Sequence, residues 1–559
     1  MMLRLGMTLA IAATLGVAVS APALATTTAA TDHAQLVKLF SGWRAFNHPQ
    51  IVGGKPDYSA SAMAAKARRL PEFQRLLKAM DTTGWSASDR GDCRLVEAEM
   101  NGLDFFLRVL KPWARDPGFY ATVFSEMSDV PAHEGPSAEP NIDLYNFTYP
   151  LSPADDAKLT EMLGAVPALL ADAKVNLAGS HAHDLWAYGD RAFNEQADVL
   201  AKLEAGTLIL NDLGGKRPAS IQGASPALRT SVANAREATE QFAAWVRDQA
   251  PRRKGPSGVG KANYNWYLKH VLLSPYDFDQ QQILLQRELD RSLASLRLEE
   301  VRNRALPPIT EISNPAAYRR MAEQRTDKIY RLLVDAGFIT DQPYFRTALA
   351  GQTSDYTPPA ERNFFTNVTA LDPLPLLSHQ FHWIELARLK NEPHPSPIRD
   401  TPPLFNIYAD RSEGFATAME ELVMQAGLYD DIPRGRELVW IMLANRAARG
   451  LASLRVQANE IGLDEAGKFH AGWTPRGWSD PNSKLVGFEQ LLYLRQPGYG
   501  PSYIVGKIDL DHLLALASHR AEVAKRPYDN RATFAAIFAS GIVPPTIIED
   551  EMAEAPAAR

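Results

Sequence analysis

The sequence predicts a mainly α-helical protein with minimal β structure, its helices packed as two lobes around a deep central cleft. Three observations predict this class. From residue 32 onward apolar residues recur mostly at spacings of three and four, the period of a helix with one buried face, while alternating strand patterns are scarce. A single cysteine, Cys93, among 559 residues excludes an intrachain disulfide framework and a thiolate metal cluster, so stability has to come from an extensive helical core. No repeat with a period of roughly 20 to 50 residues is present, which removes a solenoid. Length alone allows three or four domains, but helical chains of this size also pack as two halves of one fold, and the expected division is 26–260 and 261–559.

Taken in chain order, residues 1–25 read as a secretory signal peptide. Arg4 is their only charge, Leu9 to Val19 is apolar, and Ala23-Leu24-Ala25 offers small residues ahead of Thr26. The apolar run is too short for a stable span, and no cysteine stands at the cleavage site to carry a lipid. The expectation is a freely soluble exported protein, periplasmic or secreted. Amphipathic stripes then predict helices at 33–46, 60–80, 92–110, 155–174, 185–205 and 226–249. The next opens at Ser274-Pro275, where serine caps first-turn amides and proline gives up an N–H that would be orphaned anyway. Its buried stripe is Leu285, Leu289, Leu293 and Leu296, opposite Gln286, Arg287, Asp290 and Arg297. Further helices are expected at 314–336, 371–390, 413–428, 434–461, 482–494 and 504–525, and Asn363 to Thr369 reads as a strand. Turn-rich stretches lie at 129–141, 250–260 and 393–403, each too short for a disordered linker.

Lys and Arg total 59 against 65 Asp and Glu, a formal charge of −6, so the basic footprint of a nucleic-acid binder is absent. No stretch after the signal reaches about 18 uninterrupted apolar residues, and no membrane span is expected. The sequence leaves the oligomeric state open.

Two motifs invite a functional reading and resist it. Gly255-Pro256-Ser257-Gly258-Val259-Gly260-Lys261-Ala262 approaches a phosphate-binding loop, but Ala262 replaces the hydroxyl that holds magnesium and Glu237 to Asp248 before it has helical composition, so it reads as a Gly-rich turn. His181-Ala182-His183-Asp184 has the alternate spacing of a chelator, yet a capped helix start with surface histidines explains it equally well. Cys93 reads as a small buried residue. The loop from Trp473 to Trp478 is either a cleft wall, in which Trp478 stacks on an anionic ligand, or a packed tryptophan corner.

The chemistry concentrates in His379-Gln380-Phe381-His382-Trp383-Ile384-Glu385. On one continuous helix, spacing by three lines up His379, His382 and Glu385, so that the imidazoles converge on one ion or polar substrate. A zinc hydrolase usually places a Glu directly after the first His, as base, and a second His at spacing four; here Gln380 and Trp383 occupy those positions. Glu413 and Thr417, after a proline-rich reversal, share a face, and Glu413 is either a third ligand or an acidic first turn that complements the helix dipole. For the histidine pair the alternative is a set of hydrogen-bonded core groups.

Beyond these spacings, Glu413-Gly414-Phe415-Ala416 is similar to a Glu-Gly-Trp-Ala motif, Arg446-Ala447-Ala448-Arg449 to Arg-Ala-x-Arg, and Gln496 to Gly506 to a Pro-Gly-Gln-x-x-Ser-Tyr-x-x-Gly signature. Phe534 with Gly541-Ile542-Val543-Pro544, and Gly260-Lys261 with Tyr264, Tyr267 and Leu268, add to the pattern. Together they resemble the bacterial "domain of unknown function 885" family, exported helical proteins related to zinc metallopeptidases. The resemblance implies a metallopeptidase-like fold and a zinc site. Glu413 matches the family's downstream glutamate, and His379 or His382 one of the histidines of its His-Glu-x-x-Pro-Gly-His motif. Gln457 stands about where a later histidine is expected. Arg495 and Tyr503 match a polar pair, Arg495 for a substrate carboxylate and Tyr503 for a developing oxyanion.

The combined expectation is a divergent hydrolase of peptides or related amides. His379, His382 and Glu413 hold zinc, Glu385 and Tyr503 serve catalysis, and Arg495, Tyr503 and Trp478 bind substrate. A non-catalytic ligand-binding protein is the competing class, because Gln380 has no carboxylate to accept a proton.

Overall fold

The computed structural model describes residues 24–554, with side chains from residue 33. All but the last two residues of the expected signal segment therefore lie outside the described residues. Helix accounts for 67% and strand for 4%, which makes the protein mainly α. Several expected helices recur almost residue for residue. Pro226–Gln249 is opened by Ser225, whose hydroxyl accepts the amide of Leu228, and Pro315–Asp335 by Asn314, which accepts that of Ala317.

Three local expectations are corrected. The helix assigned to Ser274-Pro275 starts at Phe278, because Asp277 and Gln280 form a reciprocal capping box that satisfies two backbone amides. The segment read as a strand is the Phe364–Leu371 helix, nucleated by a capping box between Asn363 and Thr366. The expected 371–390 helix is split into Leu374–His379 and Phe381–Asn391. The longest strands form an antiparallel hairpin, Leu208–Asp212 with Gly215–Ala219, in which Leu208 pairs with Ala219.

At the centre lies Gly435–Gln457, buried on nearly every side, as a helix enclosed by others must be. Phe278–Arg302, Leu463–Trp473 and Tyr499–Val523 pack around it. Gly450 permits the closest approach: a Cβ there would lie 2.9 Å from Leu285 and 3.1 Å from the Gly500 carbonyl. The main apolar cluster runs from Leu36 to Ile548 and draws on both sides of residue 260. The phosphate-loop lookalike is packing chemistry, since a side chain at Gly258 would overlap the Val456 and Gln457 carbonyls that end the central helix. Gly258 N donates to Asn459 Oδ1 at 2.8 Å. His183 is exposed and bound to its neighbour Asp184.

Candidate metal centre

The break in the histidine helix builds the site. Asp372, clamped by Arg325 at 2.6 Å, accepts the Leu374 amide and starts a short helix that ends at His379. Gln380 (φ −66°, ψ 11°) interrupts it and Phe381–Asn391 begins. His379 and His382 thus stand on either side of a kink, their rings edge to face at 4.9 Å. Glu413 comes from a π-helical turn, Asp410–Gly414, ahead of Phe415–Gln425; such turns often mark functional positions. The turn is seated by glycine on both sides, because a Cβ on Gly414 would overlap Gly506 and one on Gly506 the Asp410 carbonyl. The two family-like motifs therefore touch, and their contact sets Glu413 against Tyr499–Val523.

His382 Nε2 lies 3.0 Å from Glu413 Oε2, and its Nδ1 lies 3.2 Å from Ser412 Oγ. His379 Nε2 is 3.7 Å from the same Glu413 oxygen, and its Nδ1 is 3.1 Å from Glu420 Oε1, which also accepts from Arg446. One ligand atom from each of His379, His382 and Glu413 falls within 4.8 Å of the others, and all three residues are buried. That is inside the separation of about 6 Å beyond which bonds of about 2 Å could not reach a common ion. Two imidazole nitrogens and a carboxylate oxygen are a donor set that zinc accepts.

Two more carboxylates enter from the turn-rich 129–141 stretch, where nothing in the local pattern marks them. The Tyr499 hydroxyl lies 2.5 Å from Glu413 Oε1 and 2.7 Å from Glu134 Oε1. One hydroxyl hydrogen serves one carboxylate, so the second contact requires a proton on the other partner. Burial, reinforced by Asp129 and Glu413, pushes Glu134 up to about 8 and makes it that partner. Burial also raises Asp129, against the pull of His382. Burial disfavours charge on His382, but Asp129 and Glu413 outweigh it and hold the imidazole up at about 9. Glu413 shows the converse: burial is overcome by His382 and His379, and its carboxylate stays well below the usual range. The cluster has more carboxylates than fixed cations, and protons make up the difference.

The other expected site residues are dispersed. Glu385 places both oxygens on the buried Arg411, one at 2.6 Å, and Arg411 stacks on Phe415 at 4.2 Å. A carboxylate so engaged is not free to accept a proton, so its catalytic assignment gives way to a structural ion pair. Tyr503 does line the site, its ring stacked on His379 at 6.2 Å and under Arg449 at 4.1 Å. Arg495 is engaged elsewhere, with Nε on Asp116 at 2.6 Å and Nη2 on the Pro136 carbonyl at 2.8 Å, where it pins the 129–141 stretch. Trp478 packs half-buried against an apolar cluster, the tryptophan-corner alternative rather than substrate binding. Gln457 donates to the Tyr493 and Leu494 carbonyls at 2.9 and 3.0 Å, a tie between helices.

No family model and no curated protein matches the chain. Solved structures do share its fold. A protein from Colwellia psychrerythraea, described as a "putative lipoprotein", is 12% identical with a TM-score of 0.60, covering 95% of this chain and 99% of that one. A second, from Shewanella oneidensis and described as a "putative lipoprotein of unknown function", is 13% identical with a TM-score of 0.61, covering 95% and 100%. At such identities the likeness is one of fold.

Proposed function

We propose that this chain is an exported, divergent member of the domain of unknown function 885 family whose His379–His382–Glu413 centre takes zinc and hydrolyses peptides or related amides. The observation that carries this reading is the convergence of three buried donors, from three separate helical segments, within 4.8 Å. Export is supported by the signal-like residues 1–25 and by the description of both fold neighbours as lipoproteins. Zinc bound there supplies Lewis acidity toward a carbonyl and activation of water. The chain's own groups do the rest. Glu420 orients His379, and Ser412 meets the far nitrogen of His382. Tyr499, backed by protonated Glu134, holds the second oxygen of Glu413. Burial keeps the Tyr503 phenol far above neutral pH, so it remains a hydrogen-bond donor to a developing oxyanion beside His379.

A non-catalytic binding protein is the second reading, favoured by Gln380, whose buried Oε1 finds no partner among the described residues, and by the capture of Glu385 by Arg411. The discriminating experiment incubates zinc-loaded protein with free and blocked dipeptides and follows release of primary amine. Multiple turnover that disappears in Glu413→Gln supports the hydrolase. Thermal stabilisation by the same compounds without turnover supports the binding protein and overturns the hydrolase.

A further inference from the structure

We infer that a cavity behind the 129–141 stretch is a binding pocket for a small organic acid with an apolar or aromatic body. The cavity encloses about 390 Å³, within the range of small-molecule sites. Leu103, Phe106, Tyr267 and Phe405 give it an apolar and aromatic wall. The charged groups lining it are unequal: Arg44, Lys66 and Arg495 against Glu139 as the acid among the described lining residues. Arg44 is paired with Glu99 and Arg495 with Asp116. Among the described residues the hydrogen bonds of Lys66 go to backbone, its Nζ donating to the carbonyls of Asn47 at 2.5 Å and His48 at 3.2 Å, and it lies over the Phe46 ring, while Glu139, which feels its charge, is engaged by His48 at 2.7 Å. An apolar chamber whose Lys66 ammonium makes no carboxylate hydrogen bond among the described residues complements an anionic head on an apolar body.

The wall is built, not incidental. Phe405 and Asn406 both hold left-handed backbone conformations, φ 57° and 60°, a strain that persists only where surroundings impose it and that clusters at ligand sites. Tyr267 donates its hydroxyl to the Phe405 carbonyl, and the absence of a side chain at Gly102 makes room for the Phe405 ring. Both walls continue into the metal centre. Residues 405–408 run directly into the turn that carries Glu413, and Pro131, His133 and Pro136 face the cavity while Glu134 reaches Tyr499.

The pocket needs no metal, so its test is independent of the hydrolase reading. Metal-free full-length protein is titrated calorimetrically with 4-phenylbutyrate and its neutral isostere 4-phenylbutyramide. One acid per chain is expected, with the amide weaker by about tenfold or more, the loss of one charge-assisted hydrogen bond. Lys66→Met should reduce the acid to the amide's affinity, Ala132→Trp should fill the cavity and abolish both, and His183→Ala, at an exposed position that does not line the cavity, should bind the acid like the parent. Lys66→Gln repeats the charge test if the methionine variant does not fold. No binding of the acid, equal affinities for acid and amide, or affinities unchanged in Ala132→Trp would overturn the assignment. A parent that binds the acid but no zinc overturns the metal reading and leaves the pocket standing.

Discussion

His382 and His470 are both fully enclosed in the C-terminal half, and each has a glutamate close by. His382 is 3.0 Å from Glu413, whose polar contacts are two imidazoles and the Tyr499 hydroxyl, with Asp129 and Glu134 adding further negative charge. His470 accepts from the Asn445 amide at 2.8 Å and lies 3.9 Å from Glu489, but Glu489 is already bound by Arg449. His382 is held up at about 9, whereas burial and then Arg449 press His470 down to about 3. The contrast separates a cation site from a core. Where arginine neutralises the buried carboxylate the histidine stays neutral, and where it does not, the pocket has to be filled by a proton or a metal ion.

The largest expected effect comes from making the second region resemble the first. Arg449→Met leaves Glu489 uncompensated and should cost about 3–5 kcal/mol by urea unfolding, with the His470 ring titrating upward by NMR; a His470 that stays neutral breaks the comparison. Glu413→Gln should weaken zinc by about 100-fold, some 2.7 kcal/mol, while His470→Gln leaves zinc affinity unchanged. In the metal-free protein the two histidines act on opposite limbs of the pH profile. His382 is raised above the ordinary value of about 6.5, so its stabilisation is present below that pH and is lost toward pH 9, about 3 kcal/mol. His470 is lowered, so its stabilisation is present above about 6.5 and is lost as pH falls toward 3. Thermal unfolding against pH should lose the alkaline slope in His382→Gln and the acid slope in His470→Gln. The smallest effect is expected of His183→Ala, under about 0.5 kcal/mol, as for an exposed side chain bound only to its neighbour.

Helical periodicity made most of the fold legible, and His379, His382 and Glu413 were legible as chemistry because donors stood out in segments otherwise suited to packing. The misread strand at 363–369 carried its own correction in Asn363 and Thr366, a spacing that caps a helix more tightly than a short aromatic run specifies a strand. The split after His379 was less accessible, since Gln380 has no intrinsic aversion to helix and the break is imposed by packing. Glu134 and Asp129 were out of reach for a different reason: they lie some 250 residues from His382 in a stretch without periodicity, and only the fold brings them there. The capture of Glu385 by Arg411 is likewise a tertiary event, between side chains 26 positions apart on separate elements.

The central claim is that a buried carboxylate paired with imidazoles rather than with arginine, at His379, His382 and Glu413, makes a cation site. Equilibrium dialysis of purified protein against zinc, followed by elemental analysis, tests it most directly. One zinc per chain is expected in the parent and in His470→Gln, with zinc bound about 100-fold more weakly in Glu413→Gln. A parent that retains no zinc, or a Glu413→Gln variant that retains as much as the parent, would contradict it.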